Sequence, residues 1–300
     1  MNARIKPYIQ RLMLVLLFLC CQAGSGADAQ SLSTPFPSGF RNTRPNELQG
    51  SASLHPVFEK LKKGLPVRVM QIGDSHVKGK YLPQALESTL QATFPGIRFS
   101  FYGINGAWAR RFYEHDMISR VAAENPDLLV ISFGTNEAHG SALDRQAHAK
   151  TMDLLTQRIR ERCPDVCFLF TTPPGSYLSQ RVYRTTRGRR RRTTVKVVNP
   201  NTPDVANSIV RYCQERQMAV WDLYTIAGGE QSACTNWRDA GLMNTDLVHF
   251  LTTGYTLQGT LLGEAICKAY EEAALPGTQT RMMHGSTPLE QKPYKSVAGF

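Results

Sequence analysis

Short apolar segments alternate with longer amphipathic segments through most of the chain. Residues 128–133, LLVISF, are almost wholly apolar, as expected for a central parallel strand that is buried on both faces. Residues 143–162, which follow, have the apolar spacing of a long amphipathic helix. Parallel strands need crossover connections, and these cover both faces of the sheet with helices. The alternation therefore predicts an α/β fold: a single-domain, three-layer α/β/α sandwich with a central parallel sheet.

The same patterns assign the other regular elements. We predict strands at residues 67–72, 97–102, 166–171 and 219–223, and helices at residues 81–93, 112–124, 205–217 and 254–272. Residues 175–202 lack such a pattern and are predicted to form an irregular, basic insertion. We expect the domain to span residues 61–273. An exposed leader at 30–60, rich in Ser, Pro, Gly and Asn, precedes it, and a loose tail at 274–300 follows it.

The start of the chain is typical of an export signal, which we place at residues 1–29. A basic start is followed by an apolar run at residues 12–21, which is too short to span a bilayer comfortably. Residues 27–29, ADA, supply the small-x-small cleavage pattern, so a periplasmic or secreted protein is expected to begin at Gln30. An uncleaved anchor and lipidation at Cys20 or Cys21 are the alternatives. No later stretch is apolar enough to span a bilayer, so we expect no stable membrane insertion after cleavage.

Five cysteines follow the signal segment: Cys163, Cys167, Cys213, Cys234 and Cys267. An odd number cannot pair completely, and this number is low for a disulfide scaffold. Cys163 and Cys167 bridge each other or remain buried free thiols, and the sequence leaves both open. No His or second Cys pair has metal-ligand spacing, so we expect neither a metal nor another cofactor.

The carboxyl ends of the predicted strands carry residues that suit acyl transfer. Parallel α/β sheets place their active sites at this edge. Gly73-Asp74-Ser75-His76 follows the first strand, Gly103 to Gly106 the second, and Gly134-Thr135-Asn136 the third. Asp246-Leu247-Val248-His249 comes after the last strand, just ahead of the closing helix. Each segment alone is a weak signal, but four in this order indicate one site.

Ser75 is the predicted nucleophile, because a serine hydroxyl becomes reactive when a base removes its proton. His249 is the predicted base, and Asp246 is the carboxylate that orients it. Their separation of three residues, on one helical turn, puts both side chains on the same face. The tetrahedral intermediate needs prearranged donors for its oxyanion. We expect these donors to be the backbone N–H groups of Ser75 and Gly106 and the side-chain amide of Asn136.

These segments resemble the conserved blocks of the SGNH/GDSL hydrolase family, over roughly residues 66–272. The resemblance implies a flavodoxin-like SGNH hydrolase fold. One departure is His76, which replaces the leucine of the eponymous Gly-Asp-Ser-Leu, as is common in the bacterial envelope branch of the family. The resemblance also implies a nucleophilic serine, two oxyanion donors, a base and an acid, which match Ser75, Gly106, Asn136, His249 and Asp246.

The residues at 248–255, VHFLTTGY, and Gly228-Gly229 are similar to envelope enzymes that handle acetyl esters on cell-wall glycans. We therefore predict a secreted serine esterase that removes acyl groups, foremost O-acetyl groups, from peptidoglycan or another cell-envelope or exported carbohydrate. An O-acetyltransferase on the same glycans and a broader lipase or lysophospholipase-type esterase remain open, because they share the acyl-enzyme. A non-catalytic glycan-binding protein is the alternative from another class. The oligomeric state is left open.

Other residues near these segments are candidates for contact with the substrate. His76 neighbours the nucleophile and is expected to line the pocket, and His139 lies three residues after Asn136. Trp108 and Tyr177 carry aromatic rings that suit stacking on a sugar. Plain packing of the two aromatic rings, and an exposed loop position for His139, are the competing interpretations.

Positive charge is concentrated in one segment of the chain. The formal net charge is +11, and eight basic residues without an acid lie between Arg181 and Lys196. The run at 187–192, RGRRRR, lacks interleaved aromatics and belongs to a chain with an export signal, so we expect no nucleic-acid partner. The segment is either a solvated loop or a surface that gathers an anionic wall polymer beside the active site.

Overall fold

The structure, a computed structural model, describes residues 34–114, 117–140, 142–186 and 189–275. The strands in these ranges are β1 (Val67–Gly73), β2 (Ile97–Gly103), β3 (Leu128–Ser132), β4 (Cys167–Thr171), β5 (Tyr177–Thr186), β6 (Arg189–Val198) and β7 (Ala219–Trp221). β2, β1, β3, β4 and β7 form a parallel sheet in that order. β5 and β6 form a separate antiparallel hairpin.

Helices cover both faces of the parallel sheet. In the described ranges they are α1 (His55–Lys62), α2 (Ser75–Lys78), α3 (Tyr81–Thr93), α4 (Ala109–Glu114), α5 (Met117–Glu124), α6 (Thr135–Ala138), α7 (Arg145–Arg160), α8 (Thr202–Glu215), α9 (Leu223–Ile226), α10 (Gly229–Asp239) and α11 (Thr252–Ala274). α1, α3 and α11 pack on one face, and α4, α5, α7 and α8 on the other. The order of the five strands is that of a doubly wound, flavodoxin-like sheet, which confirms the predicted fold class.

The side chains of the central strands point alternately into two apolar cores. On β1, Val67 and Val69 enter the core beneath α3 and α11. Met70 and Ile72 enter the opposite core, beneath α4 and α7. β3 repeats this pattern. Both faces of these strands are therefore buried, which explains why their sequences are continuous apolar runs.

Small residues allow α11 to lie close against α3. A Cβ atom at Gly259 would collide with the backbone of Leu82. One at Gly263 would lie 2.6 Å from the side chain of Thr89. A larger residue at either position would push the helices apart in a close-packed layer. The packing anchors α11, which begins just after the segment that carries Asp246 and His249.

The predicted exposed leader is instead packed against the domain. The ring of Phe40 meets that of Trp237 edge to face, with centroids 5.1 Å apart. Gln49 forms an antiparallel bridge with Val220 of β7. Residues from Pro35 onward therefore pack with the domain in one compact unit. The prediction of an exposed segment relied on its many Ser, Pro and Gly residues. It did not take account of the aromatic residues that attach the segment to the core.

The predicted irregular insertion at 175–202 is an ordered hairpin for most of its length. Tyr177 pairs with Val198, and Arg184 pairs with Arg191, within strands of ten residues each. Thr and Val favour strands, because their branched side chains suit a pleated surface. The arginines between them do not, and they obscured the alternation in the sequence.

Some predicted features lie outside the described residues: the export signal at 1–29, Arg187-Gly188, and residues 276–300 of the predicted tail. Within the described ranges, no helix is long and apolar enough to cross a membrane. The five cysteines in these ranges are free thiols. Cys163 and Cys167 are buried without a bridge between them.

Candidate active site

Ser75 lies where the first strand turns into a helix. β1 ends at Gly73, and Ser75 is the first residue of the short helix α2. The side chain of Asp74 accepts a hydrogen bond of 2.9 Å from the backbone N–H of His76 and caps this helix. Asp74 therefore braces the turn, which holds Ser75 half-buried at the carboxyl edge of the sheet.

Ser75, His249 and Asp246 form one hydrogen-bonded chain. Oγ of Ser75 lies 2.9 Å from Nε2 of His249. Nδ1 of the same ring lies 2.7 Å from Oδ2 of Asp246. With a proton on Nδ1, the imidazole donates to the carboxylate, and Nε2 is left to accept the serine proton. The fold thus brings together three residues that the sequence predicted to act together, although Ser75 and His249 are 174 positions apart.

The segment that carries Asp246 and His249 is a loop, not the helical turn that their spacing suggested. Leu247 adopts a left-handed conformation with φ of 56°. Oδ1 of Asp246 accepts hydrogen bonds of 2.9 Å from the backbone N–H groups of Val248 and His249. This tight turn, rather than helical periodicity, puts the carboxylate beside the imidazole.

The carboxylate of Asp246 is held in its charged form. Partial burial acts to raise its pKa, but hydrogen bonds from the His249 side chain and from two backbone N–H groups outweigh burial and lower the pKa to about 2. The side chains of His249 and Asp246 are 39% and 44% exposed. A charged carboxylate therefore orients a histidine that remains accessible from solvent.

The turn that follows β2 carries Gly106 and is hydrogen-bonded to the side chain of Asn136. A backbone hydrogen bond of 3.1 Å from Ala107 closes this turn, and Gly106 has φ of 66°, a conformation that favours glycine. Nδ2 of Asn136 donates to the carbonyl oxygen of Ala107 at 3.0 Å and to Oδ2 of Asp74 at 3.2 Å. Asn136 consequently bridges the turn at Gly106 to the turn at Ser75.

Asp74 differs from Asp246 in its protonation. Asp74 is 1% exposed. Burial is the main reason that its pKa rises to about 8, and the nearby carboxylate of Glu137 adds to the effect. At neutral pH most of Asp74 is therefore uncharged, and an uncharged carboxyl is a weaker acceptor for Asn136 than a carboxylate.

Glu137 is a structural residue of the site that the sequence analysis missed. Its buried carboxylate accepts a hydrogen bond of 2.9 Å from the backbone N–H of Gly134 and another of 2.9 Å from that of Ala109. Burial raises its pKa. Glu137 thereby ties the short helix α6, which carries Asn136, to the start of α4. The spacing Gly134-x-x-Glu137 is that of a capping box and was a usable signal.

His76 lies inside the protein, where it lines a small internal cavity beside Asp74. Its side chain is 6% exposed, because it packs against the rings of His249 and Tyr255, with centroids 5.3 and 5.6 Å away. Nδ1 of His76 lies 3.0 Å from the hydroxyl oxygen of Tyr255. Burial, with a smaller contribution from His249, lowers the pKa of His76 to about 3. A neutral His76 therefore supports the ring of His249, and its contact with a substrate stays a prediction.

The other predicted contact residues divide between the surface and the interior. Trp108 is 46% exposed and borders a shallow groove together with Gly106. His139 is exposed, and its Nε2 lies 2.9 Å from Oγ of Ser176, just before β5. Tyr177 is 2% exposed and belongs to the core, so it is not placed to stack on a sugar.

The hairpin also reaches this site through a residue that no motif contains. Nζ of Lys196 on β6 donates a hydrogen bond of 2.7 Å to the backbone carbonyl of Asp246. The two residues are 50 positions apart, so only the folded chain reveals the contact. In the part of the chain that the structure describes, no group of three or more His, Cys, Asp or Glu side chains is arranged to hold a metal ion.

A doubly wound sheet that presents a serine, a histidine and an aspartate at its carboxyl edge suits acyl transfer, and the chain is a carboxylic ester hydrolase. The sequence profile of the GDSL-like lipase/acylhydrolase family matches residues 71–257. The protein belongs to this family. The matched range contains Ser75, Gly106, Asn136, Asp246 and His249, and the roles assigned to them stay predictions.

Solved structures are similar to this chain at low sequence identity. A peptidoglycan O-acetylesterase is 16% identical, with a TM-score of 0.61 over 77% of this chain and 100% of the other. An acetyl xylan esterase is 15% identical, with a TM-score of 0.48 over 70% of this chain and 100% of the other. A GDSL-like lipase from Bacteroides thetaiotaomicron is 17% identical, with a TM-score of 0.47 over 74% and 100%. No curated protein sequence matches the chain significantly.

Proposed function

We propose that this protein is an exported serine esterase that removes O-acetyl groups from a cell-envelope or exported carbohydrate. The observation that carries the proposal is the hydrogen-bonded chain from Ser75 through His249 to Asp246, with distances of 2.9 and 2.7 Å. Family membership supplies the reaction class, ester hydrolysis. Ser75 is the nucleophile, His249 the general base, and Asp246 the carboxylate that orients the base.

In the first half-reaction, Nε2 of His249 removes the hydroxyl proton as Oγ of Ser75 attacks the ester carbonyl carbon. The carbon–oxygen bond to the sugar then breaks, and the proton on Nε2 passes to the departing sugar oxygen. The products are an acetyl group on Ser75 and a free sugar hydroxyl. Asp246 stabilises the imidazolium that exists between the two proton transfers.

In the second half-reaction, water gives a proton to His249 while its oxygen attacks the acetyl carbonyl carbon. Collapse of the intermediate releases acetic acid and returns the proton to Oγ of Ser75. The side chain of His249 is 39% exposed, so water has access to the base. A sugar hydroxyl in place of water would make the same acyl-enzyme an O-acetyltransferase.

The oxyanion of each intermediate accepts hydrogen bonds from the backbone N–H groups of Ser75 and Gly106 and from the amide of Asn136. Both hydrogens of that amide have acceptors in the structure, at 3.0 Å and 3.2 Å. The longer bond goes to Asp74, whose pKa of about 8 makes it a weak acceptor at neutral pH. Asn136 therefore loses little when this hydrogen turns from Asp74 to the oxyanion.

The surroundings of the site support a carbohydrate substrate. The groove beside Gly106 combines the exposed ring of Trp108 with the polar side chains of Arg110, Arg111 and Glu114. Such a mixture of an aromatic face and polar groups suits a sugar ring, which has apolar C–H faces and hydroxyl edges. A protein of the same fold is, by its name, a peptidoglycan O-acetylesterase. The export signal predicted for residues 1–29 would deliver this enzyme to the envelope.

Acetate release is the experiment that tests the proposal. Purified protein is incubated with O-acetylated peptidoglycan or with an aryl acetate, with and without an added glycan acceptor. We expect acetate from both substrates, no release by Ser75→Ala, and labelling of wild type at Ser75 by a serine-directed phosphonate. Ser53→Ala, at a half-buried serine that bonds the carbonyl of Gly50, is the matched control and should retain activity.

Each rival function predicts a different result. Normal turnover by a folded Ser75→Ala variant would exclude the proposed mechanism. Transfer of acetyl groups to the added acceptor in excess of acetate release would indicate a transferase. Preference for long-chain esters over acetyl esters would indicate a lipase-type enzyme. Peptidoglycan binding by wild type without any ester cleavage would indicate a glycan-binding protein.

A further inference from the structure

The β5–β6 hairpin has two chemically different faces. Residues paired across an antiparallel ladder lie on the same face, and successive residues alternate between faces. The pairs Ser179–Lys196, Arg181–Thr194, Tyr183–Arg192 and Thr185–Arg190 are on one side. We call this the cationic face, and its members Arg181, Tyr183, Arg190, Arg192 and Lys196 are exposed.

The opposite face is apolar near the body of the protein and charged only at its end. Leu178 pairs with Val197, and Val182 lies four residues further along β5; all three are half-buried. Arg184 and Arg191 pair with each other at the far end of this face. The hairpin is therefore amphipathic, but its outer end is polar on both faces.

The cationic face begins at the candidate active site. Nζ of Lys196 donates to the carbonyl of Asp246 at 2.7 Å, and the backbone N–H of Tyr177 donates to the carbonyl of Leu247 at 2.9 Å. These bonds attach the base of the hairpin to the loop that holds His249. A row of cations consequently runs outward from the site along one face of the hairpin.

The guanidinium groups of this row remain available to a ligand. In the described part of the chain, none of the ion pairs involves an arginine of β5 or β6. The guanidinium of Arg190 lies 4.2 Å from the ring centroid of Tyr183, a contact that orients the arginine without neutralising its charge. Neighbouring cations stand about 7 to 8 Å apart, which suits a ligand with repeated anionic groups.

We propose that the cationic face binds an anionic polysaccharide, one that carries carboxylate or phosphate groups along its chain, and presents it to Ser75. The inference rests on the proposed esterase function and specifies its substrate class. Arginine forms paired, charge-assisted hydrogen bonds with carboxylate and phosphate. A polymer held along the hairpin, from Arg192 toward Lys196, leads directly to the loop of Asp246 and His249.

Two other polyanions fit this surface less well. A membrane would need apolar residues at the outer end of the hairpin, but Leu178, Val182 and Val197 lie at or near its base. Single-stranded nucleic acid would need free aromatic faces for stacking bases. The aromatic ring on the cationic face, Tyr183, is covered on one side by Arg190. Both polyanions serve as competing ligands in the test below.

The test compares two double variants with the same loss of charge. R181Q/R192Q changes the cationic face, and R184Q/R191Q changes the opposite face of the same hairpin. For each protein, kcat/KM is measured on O-acetylated polygalacturonate, which is anionic, and on O-acetylated xylan, which is uncharged. Binding is measured with the Ser75→Ala protein and with each double variant. The three ligands are polygalacturonate, vesicles with one quarter phosphatidylglycerol, and a 20-nucleotide single strand of nucleic acid.

We expect R181Q/R192Q to lower the ratio of anionic to uncharged kcat/KM about tenfold, and wild type to show the same loss in high salt. R184Q/R191Q should keep at least half of the wild-type ratio. The Kd of the R181Q/R192Q protein for polygalacturonate should rise by about the same factor. These results together would establish that one face of the hairpin recognises the polymer.

Equal losses in both double variants, or none in either, would overturn the proposal, because the face would then not matter. Tighter binding of vesicles or of the single strand than of polygalacturonate would overturn the choice of ligand. A different result would show that the esterase proposal itself is wrong: wild type would then cleave neither acetylated polymer nor an aryl acetate. Binding of polygalacturonate by the cationic face would still be measurable in that case.

Discussion

Replacement of Asp246 by asparagine separates two tasks of its carboxylate. Oδ1 accepts both backbone N–H groups of the turn at 2.9 Å, and Oδ2 accepts Nδ1–H of His249 at 2.7 Å. An asparagine side chain retains the turn if its oxygen takes the Oδ1 position. Its NH₂ group then faces Nδ1 of His249 and donates to it. The proton of the neutral imidazole must move to Nε2, which can no longer accept the proton of Ser75.

The size of the effect follows from these contacts. The reactive tautomer would place the Nδ1–H donor against the amide NH₂, so it loses a charge-assisted hydrogen bond and leaves donors without an acceptor. A lost charge-assisted bond and an unsatisfied group together cost about 4 to 5 kcal/mol. At 1.36 kcal/mol for each tenfold change, kcat should fall about 10³- to 10⁴-fold. The melting temperature should change little, because the turn is intact.

The assay is hydrolysis of an aryl acetate, with the concentration of active sites counted by a serine-directed phosphonate. Asp246→Ala should lose comparable activity and also stability, because it removes the acceptor of the two backbone N–H groups. Asp239→Asn is the matched control, since Asp239 is exposed and pairs with Arg238, and it should retain wild-type kcat. A kcat of Asp246→Asn within tenfold of wild type would refute the orienting role of Asp246.

Three further predictions concern Asn136, Glu137 and His148. Asn136→Ala should lower kcat about a hundredfold with little change in KM, since an oxyanion donor acts chiefly in the transition state; an equal rise in KM would contradict that role. Glu137→Gln should lower the free energy of unfolding in urea by about 2 kcal/mol, because its NH₂ group would face one of the two backbone N–H donors at Gly134 and Ala109. Burial lowers the pKa of His148 to about 4, so as the pH falls below 6.5 the unfolded chain takes up this proton first and the native state loses about 3 kcal/mol between pH 6.5 and 4. His148→Gln, whose amide does not titrate, should lose correspondingly less over that window in urea titrations, and an unchanged pH dependence would contradict the assignment.

The sheet and its helices were predictable because their periodicity is strong. The helix predicted at 81–93 is Tyr81–Thr93 in the structure, and the strand predicted at 128–133 ends one residue earlier, at Ser132. Both segments bury apolar residues at the spacing that their secondary structure requires. Prediction of secondary structure was weaker where charged residues interrupt the apolar periodicity of an ordered element. The arginines of β6 interrupt the apolar alternation, so an ordered strand was taken for an irregular segment.

The arrangement within the site was less predictable than its composition. The spacing of Asp246 and His249 suggested a helical turn, whereas the structure has a loop with Leu247 at φ of 56°. His76 was expected to line the pocket, because it neighbours Ser75 in the chain. The sequence did not show that helix α2 turns its side chain inward, where Tyr255 and His249 cover it. Such outcomes depend on partners far away in the sequence, and no local pattern contains them.

The sequence by itself determined the order of the buried strands and the residue types that follow each of them. Those are local properties, since an apolar run, a glycine turn or a reactive side chain depends on a few neighbouring residues in the sequence. Only the tertiary structure decided that Oγ of Ser75 lies 2.9 Å from a histidine 174 positions away, and that Lys196 of the hairpin meets the carbonyl of Asp246. Distances of this kind arise when two distant segments pack on the same sheet edge, because the packing of the whole core sets where each strand ends.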